Sequence, residues 1–244
     1  MANEQYTPQQ LAERFIDQRE IQNVMGKYAM LIMICKQADI VDRFWAKSAE
    51  KPTLALNNGW YVGLDAIRGY YQAIADNIAA ATPVLKEQFP KELGSKTDEE
   101  VYGSGEHRPR PLTSTVVEVA ADGQTAKGLW QVMGVNNSIT ECGPLSTWKW
   151  GYVAADFVLE EGEWKVWHLQ EFIELDAPVA TNWVEKSPYE PLPEFAALGK
   201  LTLPAPTVEA KLYETWSPER DYTAPPRIPE PYTTFAETFT YGME

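Results

Sequence analysis

Residues 162–175, GEWKVWHLQEFIEL, constrain this chain more than any other stretch. Aromatic, β-branched and long residues alternate through it with the period of two that marks a half-buried strand. Strict alternation puts Trp164, Val166, His168, Gln170 and Phe172 on one face. It puts Lys165, Trp167, Leu169, Glu171 and Ile173 on the other. A glycine turn precedes the strand, and Asp176-Ala177-Pro178 stops it, because proline cannot donate to a ladder. His168, one of two histidines in the chain, therefore shares a face with two aromatics and a valine. That pattern predicts that it points into an enclosed, largely aromatic pocket.

The segments before this strand read mostly as helices. Thr7-Pro8-Gln9-Gln10 carries an N-cap, a proline at the first helical position and a glutamine three residues after the cap. Asp17-Gln18-Arg19-Glu20 repeats such a signal, predicting a short helix that leads into a longer one ending near Gln37. Ile21, Val24, Met25, Tyr28, Ile32 and Cys35 recur at helical spacing, so Tyr28 faces inward. A helical piece from Asp39 through Trp45 follows. Two short strands then flank Asn57-Asn58-Gly59, where the asparagines are explained by the turn. Another helix opens at Gly63-Leu64-Asp65.

From Thr82 to Pro111 the pattern dissolves into a polar, glycine- and proline-punctuated segment, the signature of a lid or of a disordered loop. Strands are expected at 112–119, 126–132 and 146–159, before the final one. Helices followed by a mostly antiparallel sheet give an α+β class: a cone-shaped, curved sheet covered by N-terminal helices. Such a cone is a natural home for a small-molecule site. Residues 1–176 would form this domain. Residues 177–244 hold eleven of the eighteen prolines and read as an extended arm. Its aromatics, among them Tyr189, Phe195, Tyr213, Trp216, Tyr222, Tyr232, Phe235, Phe239 and Tyr241, predict packing on the domain or on a neighbouring subunit.

A net charge of −14 over 244 residues argues against nucleic acid or an anionic membrane as partner, since both need a basic face. Cys35 and Cys142 form no metal or redox motif, and two separated histidines argue against a dedicated zinc site. The first ten residues lack the features of a secretory signal, and the longest apolar run, 29–35, is too short to span a bilayer. A soluble cytoplasmic protein without a cofactor is expected. The apolar face of Trp167, Leu169 and Ile173 predicts self-association as a homodimer or homotrimer.

The segments REIQNVMGKYAMLI, FWAK, WYVGLDAIRGYY, STVVEVAADGQTAKGLW and WKWGYVAADFVLEEGEWKVWHLQEF, in this order, resemble the SnoaL-like branch of the ketosteroid-isomerase (nuclear transport factor) fold over residues 15–175. The resemblance implies a cystatin-like α+β barrel and cofactor-free cyclase, dehydratase, isomerase or lyase chemistry on a bulky small molecule. In its aromatic excess, length and terminal arm the chain is similar to the diarylpropane γ-formaldehyde lyases. Those enzymes remove water and formaldehyde from lignin-derived diols through a quinone methide to give a stilbene. The same fold also implies two alternatives: a steroid- or polyketide-type dehydratase or isomerase, or a non-catalytic binding module. Dehydratases of the branch carry an aspartate about a turn and a half after the helix tyrosine. Met33 stands there and cannot move a proton.

Three residues are candidates for the chemistry. His168 lies where the branch places a proton-transfer residue, and an ordinary histidine pKa suits general acid–base work. Tyr28 matches the branch's helix tyrosine and could hold a substrate oxygen or donate a proton. Lys149 follows from the residues themselves. Period-two alternation back from Leu159, Phe157, Ala155 and Val153 puts it on the core face, where it could stabilise an oxyanion or act as a base. Trp45, Trp60, Trp130 and Trp148 are candidate walls for an aromatic substrate. His107 is a candidate lid residue, and Gln170 is a polar contact on the face of His168.

Overall fold

Helix α1 (Pro8–Met33) starts with the expected capping box, in which the Thr7 hydroxyl accepts from the Gln10 backbone and the Gln10 side chain accepts from the Thr7 backbone. It is one continuous helix, not two. Asp17 caps nothing; its carboxylate accepts a hydrogen bond from the Trp164 indole at 2.9 Å, and neither glycine nor proline interrupts the chain there. The helix ends at Met33, short of Gln37, because Cys35 adopts a left-handed backbone with φ 58°. The computed structural model describes residues 6–140, 143–179, 203–220 and 226–243. Tyr189, Phe195, Tyr222 and Cys142 lie outside them.

A 3₁₀ turn (Gln37–Asp39) leads into α2 (Ile40–Phe44), and strands β1 (Thr53–Leu56) and β2 (Gly59–Val62) form the expected hairpin. Helix α3 (Leu64–Ala80) follows. The polar segment after it is ordered: α4 (Thr82–Gln88) and α5 (Asp98–Val101), the latter closed by a Thr97/Glu100 capping box. Strands β3 (Leu112–Val119), β4 (Thr125–Thr140), β5 (Gly143–Glu160) and β6 (Glu163–Pro178) are antiparallel neighbours in sequence. β1 joins β6 in parallel, and the short β7 (Val208–Glu209) adds to β2, so the sheet runs β3-β4-β5-β6-β1-β2-β7 without closing. Among the described residues no helix is long and apolar enough to cross a membrane.

The core lies between the helices and the concave face of this sheet. Ile21, Met25, Tyr28 and Ile32 of α1 and Ile67, Tyr70 and Tyr71 of α3 pack there with Trp45, Trp130, Val153, Phe157, Val166 and Leu169. Each large apolar side chain fully buried in this way contributes roughly 1.5–3 kcal/mol.

Two bulges in β6 overturn its expected alternation. Phe157 pairs with Val166 but Asp156 with His168, so β6 holds one extra residue at Trp167. A second shift, between Trp150 and Gly151, adds another at Glu174. Trp164 and Val166 therefore face the core, but beyond the first bulge Leu169 and Glu171 do so instead of His168, Gln170 and Phe172. A single inserted residue moves every later side chain to the opposite face. Gly151 is required at the second bulge, where an added Cβ would lie 1.9 Å from the Phe172 carbonyl oxygen.

Beyond β6 the chain returns over the convex face. The Tyr61 hydroxyl donates to the Pro204 carbonyl, Trp216 N–H to the Glu174 carbonyl, and Ala121 N–H to the Tyr232 carbonyl. Leu129, Phe172 and Tyr241 form a small cluster there, with Tyr213 and Phe239 packed against it. The apolar surface from which self-association was expected is thus differently disposed: Leu169 is core, and Trp167 packs on Phe235 of the chain's own tail.

Candidate functional site

Inside the cone, α1, α3, β5, β6 and the segment before β3 bring ionisable side chains to one place. The Tyr28 hydroxyl of α1 donates to Glu171 of β6 at 3.1 Å and lies 3.2 Å from the Tyr71 hydroxyl of α3. Arg110, delivered by the segment before β3, donates through Nη1 to both oxygens of Glu171 at 3.2 and 3.3 Å. Lys149 of β5 stands 3.9 Å from Asp176 and is close enough to Arg110 and Glu171 to feel both charges. Tyr28 and Tyr71 are fully enclosed, whereas Arg110, Lys149 and Asp176 keep 17, 16 and 27% of their side chains exposed. Those three mark the approach to the cluster.

The electrostatics sort these groups into roles. Burial raises Tyr28 and Tyr71 well above an ordinary phenol, and the nearby Glu171 charge adds to it, so both stay protonated. Burial also pushes Glu171 up, but Arg110, Lys149 and the hydrogen bonds from Tyr28 and Arg110 outweigh it and hold the carboxyl below its usual pKa. Lys149 is lowered, first by burial and then by the Arg110 charge. A protonated hydroxyl pair, an anchored carboxylate and a lysine whose pKa is lowered therefore stand together. Among the described residues two buried donors there have no hydrogen-bond partner: Arg110 Nε, and the indole Nε1 of Trp45, whose ring meets Tyr71 edge-on at 5.8 Å. Such unpaired donors are costly in a finished core and suit a site that awaits a ligand oxygen.

His168 is on the other side of the sheet. Its Nδ1 lies 2.9 Å from the Thr53 hydroxyl, its ring stacks on Trp167, and the Gly242 backbone closes over it so tightly that a Cβ would sit 2.6 Å from the ring. Burial, then the charge of Lys127, depress its pKa to about 4. The imidazole is thus neutral at physiological pH and separated by the strand from Tyr28 and Lys149. Beside it, Lys127 Nζ donates to Asp156 at 2.6 Å, both side chains fully buried. Asp156 also accepts from the Thr240 hydroxyl and Tyr241 N–H, each at 2.8 Å. The Phe235 and Phe239 rings cover the ammonium at 4.4 and 4.7 Å.

Among the aromatic walls, Trp45 and Trp130 line the core, Trp130 meeting Phe157 edge-on at 6.2 Å. Trp60 and Gln170 line a cavity on the convex side, and Trp148, adjacent to Lys149 on a regularly alternating strand, faces away from it. His107 does not reach the interior. It is held outside by two backbone hydrogen bonds with Asn137, both 2.9 Å. Met33 is exposed at the end of α1. Asn57 does more than turn the hairpin: its amide donates to the Ile173 carbonyl and accepts from Ile173 N–H, pinning β1 to β6.

Glu171, Arg110 and Tyr71 escaped the sequence reading. A signal existed for Glu171: a carboxylate flanked at two-residue spacing by Leu169 and Ile173 requires a buried cation. Arg110, between two prolines, carries no periodicity. Among the described residues no three His, Cys, Asp or Glu side chains cluster as metal ligands.

No curated protein matches the sequence. Among solved structures, a protein of unknown function from Mycobacterium tuberculosis is 18% identical, with 80% of this chain and 90% of that one covered at a TM-score of 0.48. A hexachlorocyclohexane dehydrochlorinase from Novosphingobium barchaimii is 13% identical over 70% of this chain and 95% of its own, also at 0.48. An NTF2-like protein with a cystatin-like fold from Novosphingobium aromaticivorans is 15% identical over 72 and 92%, at 0.40. The model of the SnoaL-like domain matches residues 13–170, well over half of the chain. Its match ends at Gln170, one residue before Glu171, and on that extent of agreement the chain belongs to the SnoaL-like domain family.

Proposed function

We propose that this protein is a cofactor-free lyase acting on a bulky phenolic small molecule. Its reaction would eliminate water and then formaldehyde from a diarylpropane diol to leave a stilbene. The observation that carries the reading is the enclosed constellation of Tyr28, Glu171, Arg110 and Lys149, in which a raised phenol and a lowered amine stand around one carboxylate. Membership of a family whose domain hosts small-molecule chemistry agrees with it.

Every step is then a proton transfer or a heterolysis. Lys149 takes the proton of the substrate's para-hydroxyl, and the resulting ammonium, with Arg110, stabilises the phenolate. Electrons from that oxygen expel the benzylic hydroxyl, which leaves as water with the Tyr28 proton, and a quinone methide remains. Tyr28, now a phenolate beside Glu171, is a strong base. It recovers a proton from the terminal hydroxyl as the C–C bond breaks, releasing formaldehyde and returning the electron pair to the phenolate oxygen. Lys149 finally gives its proton back. Glu171, fixed by Arg110, orients Tyr28 throughout.

The test is incubation of the purified, chelator-treated protein with a para-hydroxyphenyl diaryl-propanediol, following stilbene absorbance and formaldehyde together. Equal amounts of both support the lyase. Dehydration without formaldehyde would move the chemistry to a dehydratase, and no turnover of the diol would refute the assignment of substrate.

A further inference from the structure

The convex face of the sheet carries a cavity of about 570 Å³ that the proposed chemistry does not use. It lies between the sheet and the returning chain, lined by Trp60, Phe172, Tyr213, Phe239 and Tyr241 together with Gln170, Arg220 and Arg227. Its size falls within the ~300–1,000 Å³ of small-molecule sites. The cluster of Glu171 and Tyr28 is on the other side of β6, because Gln170 and Glu171 are neighbours that point to opposite faces.

Two features mark this cavity as built for a ligand. Gln170 is only 7% exposed, yet its side-chain amide has no hydrogen-bond partner among the described residues. An amide on a cavity wall that no protein group engages is open to a ligand atom. The second feature is charge. Arg220 is committed to Glu174 at 3.2 Å and to the Tyr213 hydroxyl, while Glu214 at the rim is engaged by Lys211 at 2.9 Å. Arg227 is different: its guanidinium carbon lies over the Phe239 ring, 4.2 Å from the centroid, and it makes no ion pair among the described residues. The cavity therefore offers aromatic walls, one uncommitted amide and one uncompensated cation.

We propose that this cavity binds a small aromatic carboxylate, its ring packed among Phe172, Tyr213 and Phe239, its anion held by Arg227, and a polar ring substituent met by Gln170. A guanidinium already held over an aromatic ring loses less freedom on pairing with a planar carboxylate than a freely rotating one. An amide both donates and accepts, so a phenolic hydroxyl suits it in either role. The chain that closes this cavity is the chain that covers His168, so occupancy would also brace the tail through Tyr241 and Gly242.

The experiment is calorimetric titration of the full chain with 4-hydroxybenzoate and with 4′-hydroxybiphenyl-4-carboxylate, against the uncharged 4-hydroxybenzyl alcohol. Arg227 is exposed, so Arg227→Gln is expected to fold normally. It should weaken the carboxylates about ten-fold while leaving the alcohol unchanged. With unsubstituted benzoate titrated alongside, Gln170→Leu should weaken 4-hydroxybenzoate relative to benzoate, and Glu171→Gln, across the strand, should change neither. Failure of both carboxylates to bind the wild type overturns the proposal. So does equal weakening of acid and alcohol by Arg227→Gln, or a loss in Glu171→Gln that matches the one in Arg227→Gln. All readouts are of binding, so absence of lyase turnover leaves the result standing.

Discussion

Replacing Asp156 by alanine should release the C-terminal tail and destabilise the protein by about 3–5 kcal/mol. The magnitude follows from what the carboxylate holds: Lys127 Nζ at 2.6 Å, with both side chains fully buried, and the Thr240 hydroxyl and Tyr241 N–H at 2.8 Å each. Burial alone already works against the charge of both partners, raising Asp156 and lowering Lys127. Removing the carboxylate leaves an ammonium with aromatic rings for company but no counter-charge, the situation that costs ~3–5 kcal/mol in buried pairs. Replacing both partners by apolar residues, as in Lys127→Met with Asp156→Leu, removes the stranded charge and should recover most of the loss. Urea unfolding followed by tryptophan fluorescence, run as a double-mutant cycle, measures both quantities. If Asp156→Ala costs less than about 1 kcal/mol, or if the double variant is no more stable than the single, the tail is not anchored by this pair.

Three further outcomes follow from the same contacts. Gly242→Ala forces a Cβ to within 2.6 Å of the His168 ring, and the displaced tail should cost about 1–3 kcal/mol in the same unfolding assay. His168 binds its proton at about 4 in the folded chain and near 6.5 when unfolded, so its contribution to stability is fully present above pH 6.5 and fades as pH falls toward 4. That drop corresponds to roughly 3 kcal/mol, and the difference in pH dependence between wild type and His168→Gln isolates it from the opposing titration of Asp156. For the chemistry, a lowered Lys149 predicts that kcat rises with pH through a midpoint below 10.5. Lys149→Met should abolish that limb and reduce kcat by about 10²–10⁴-fold.

Much of the scaffold was legible in the sequence because it depends on local rules. The Thr7 capping box, the Asn57-Asn58 hairpin and the alternation of β5 that turns Lys149 inward all follow from neighbouring residues. The faces of β6 were not legible beyond Trp167. A bulge is one residue in excess of the partner strand, and nothing in GEWKVWHLQEFIEL announces it, since aromatics and aliphatics continue on both sides. The consequence was large: His168 exchanges places with Glu171, and the carboxylate becomes the interior partner of Tyr28. Arg110 was unreadable for another reason. Its role depends on a non-local ion pair with a strand 61 residues later, delivered by a segment without hydrophobic periodicity. The ordering of that segment was half visible, since Thr97 and Glu100 have capping-box spacing.

The proposed chemistry belongs to the interior cluster around Glu171 and not to His168 on the other face of β6. The direct test compares kcat/KM for stilbene formation in Glu171→Gln and His168→Gln at pH 7.5, with both variants checked for folding by circular dichroism. Glu171→Gln keeps the shape but removes the charge that orients Tyr28 and pairs with Arg110, and it should lose at least about 10²-fold. His168→Gln should stay within a few-fold of wild type. The opposite ranking, with His168→Gln inactive and Glu171→Gln active, would place the reaction beneath the tail and contradict the account.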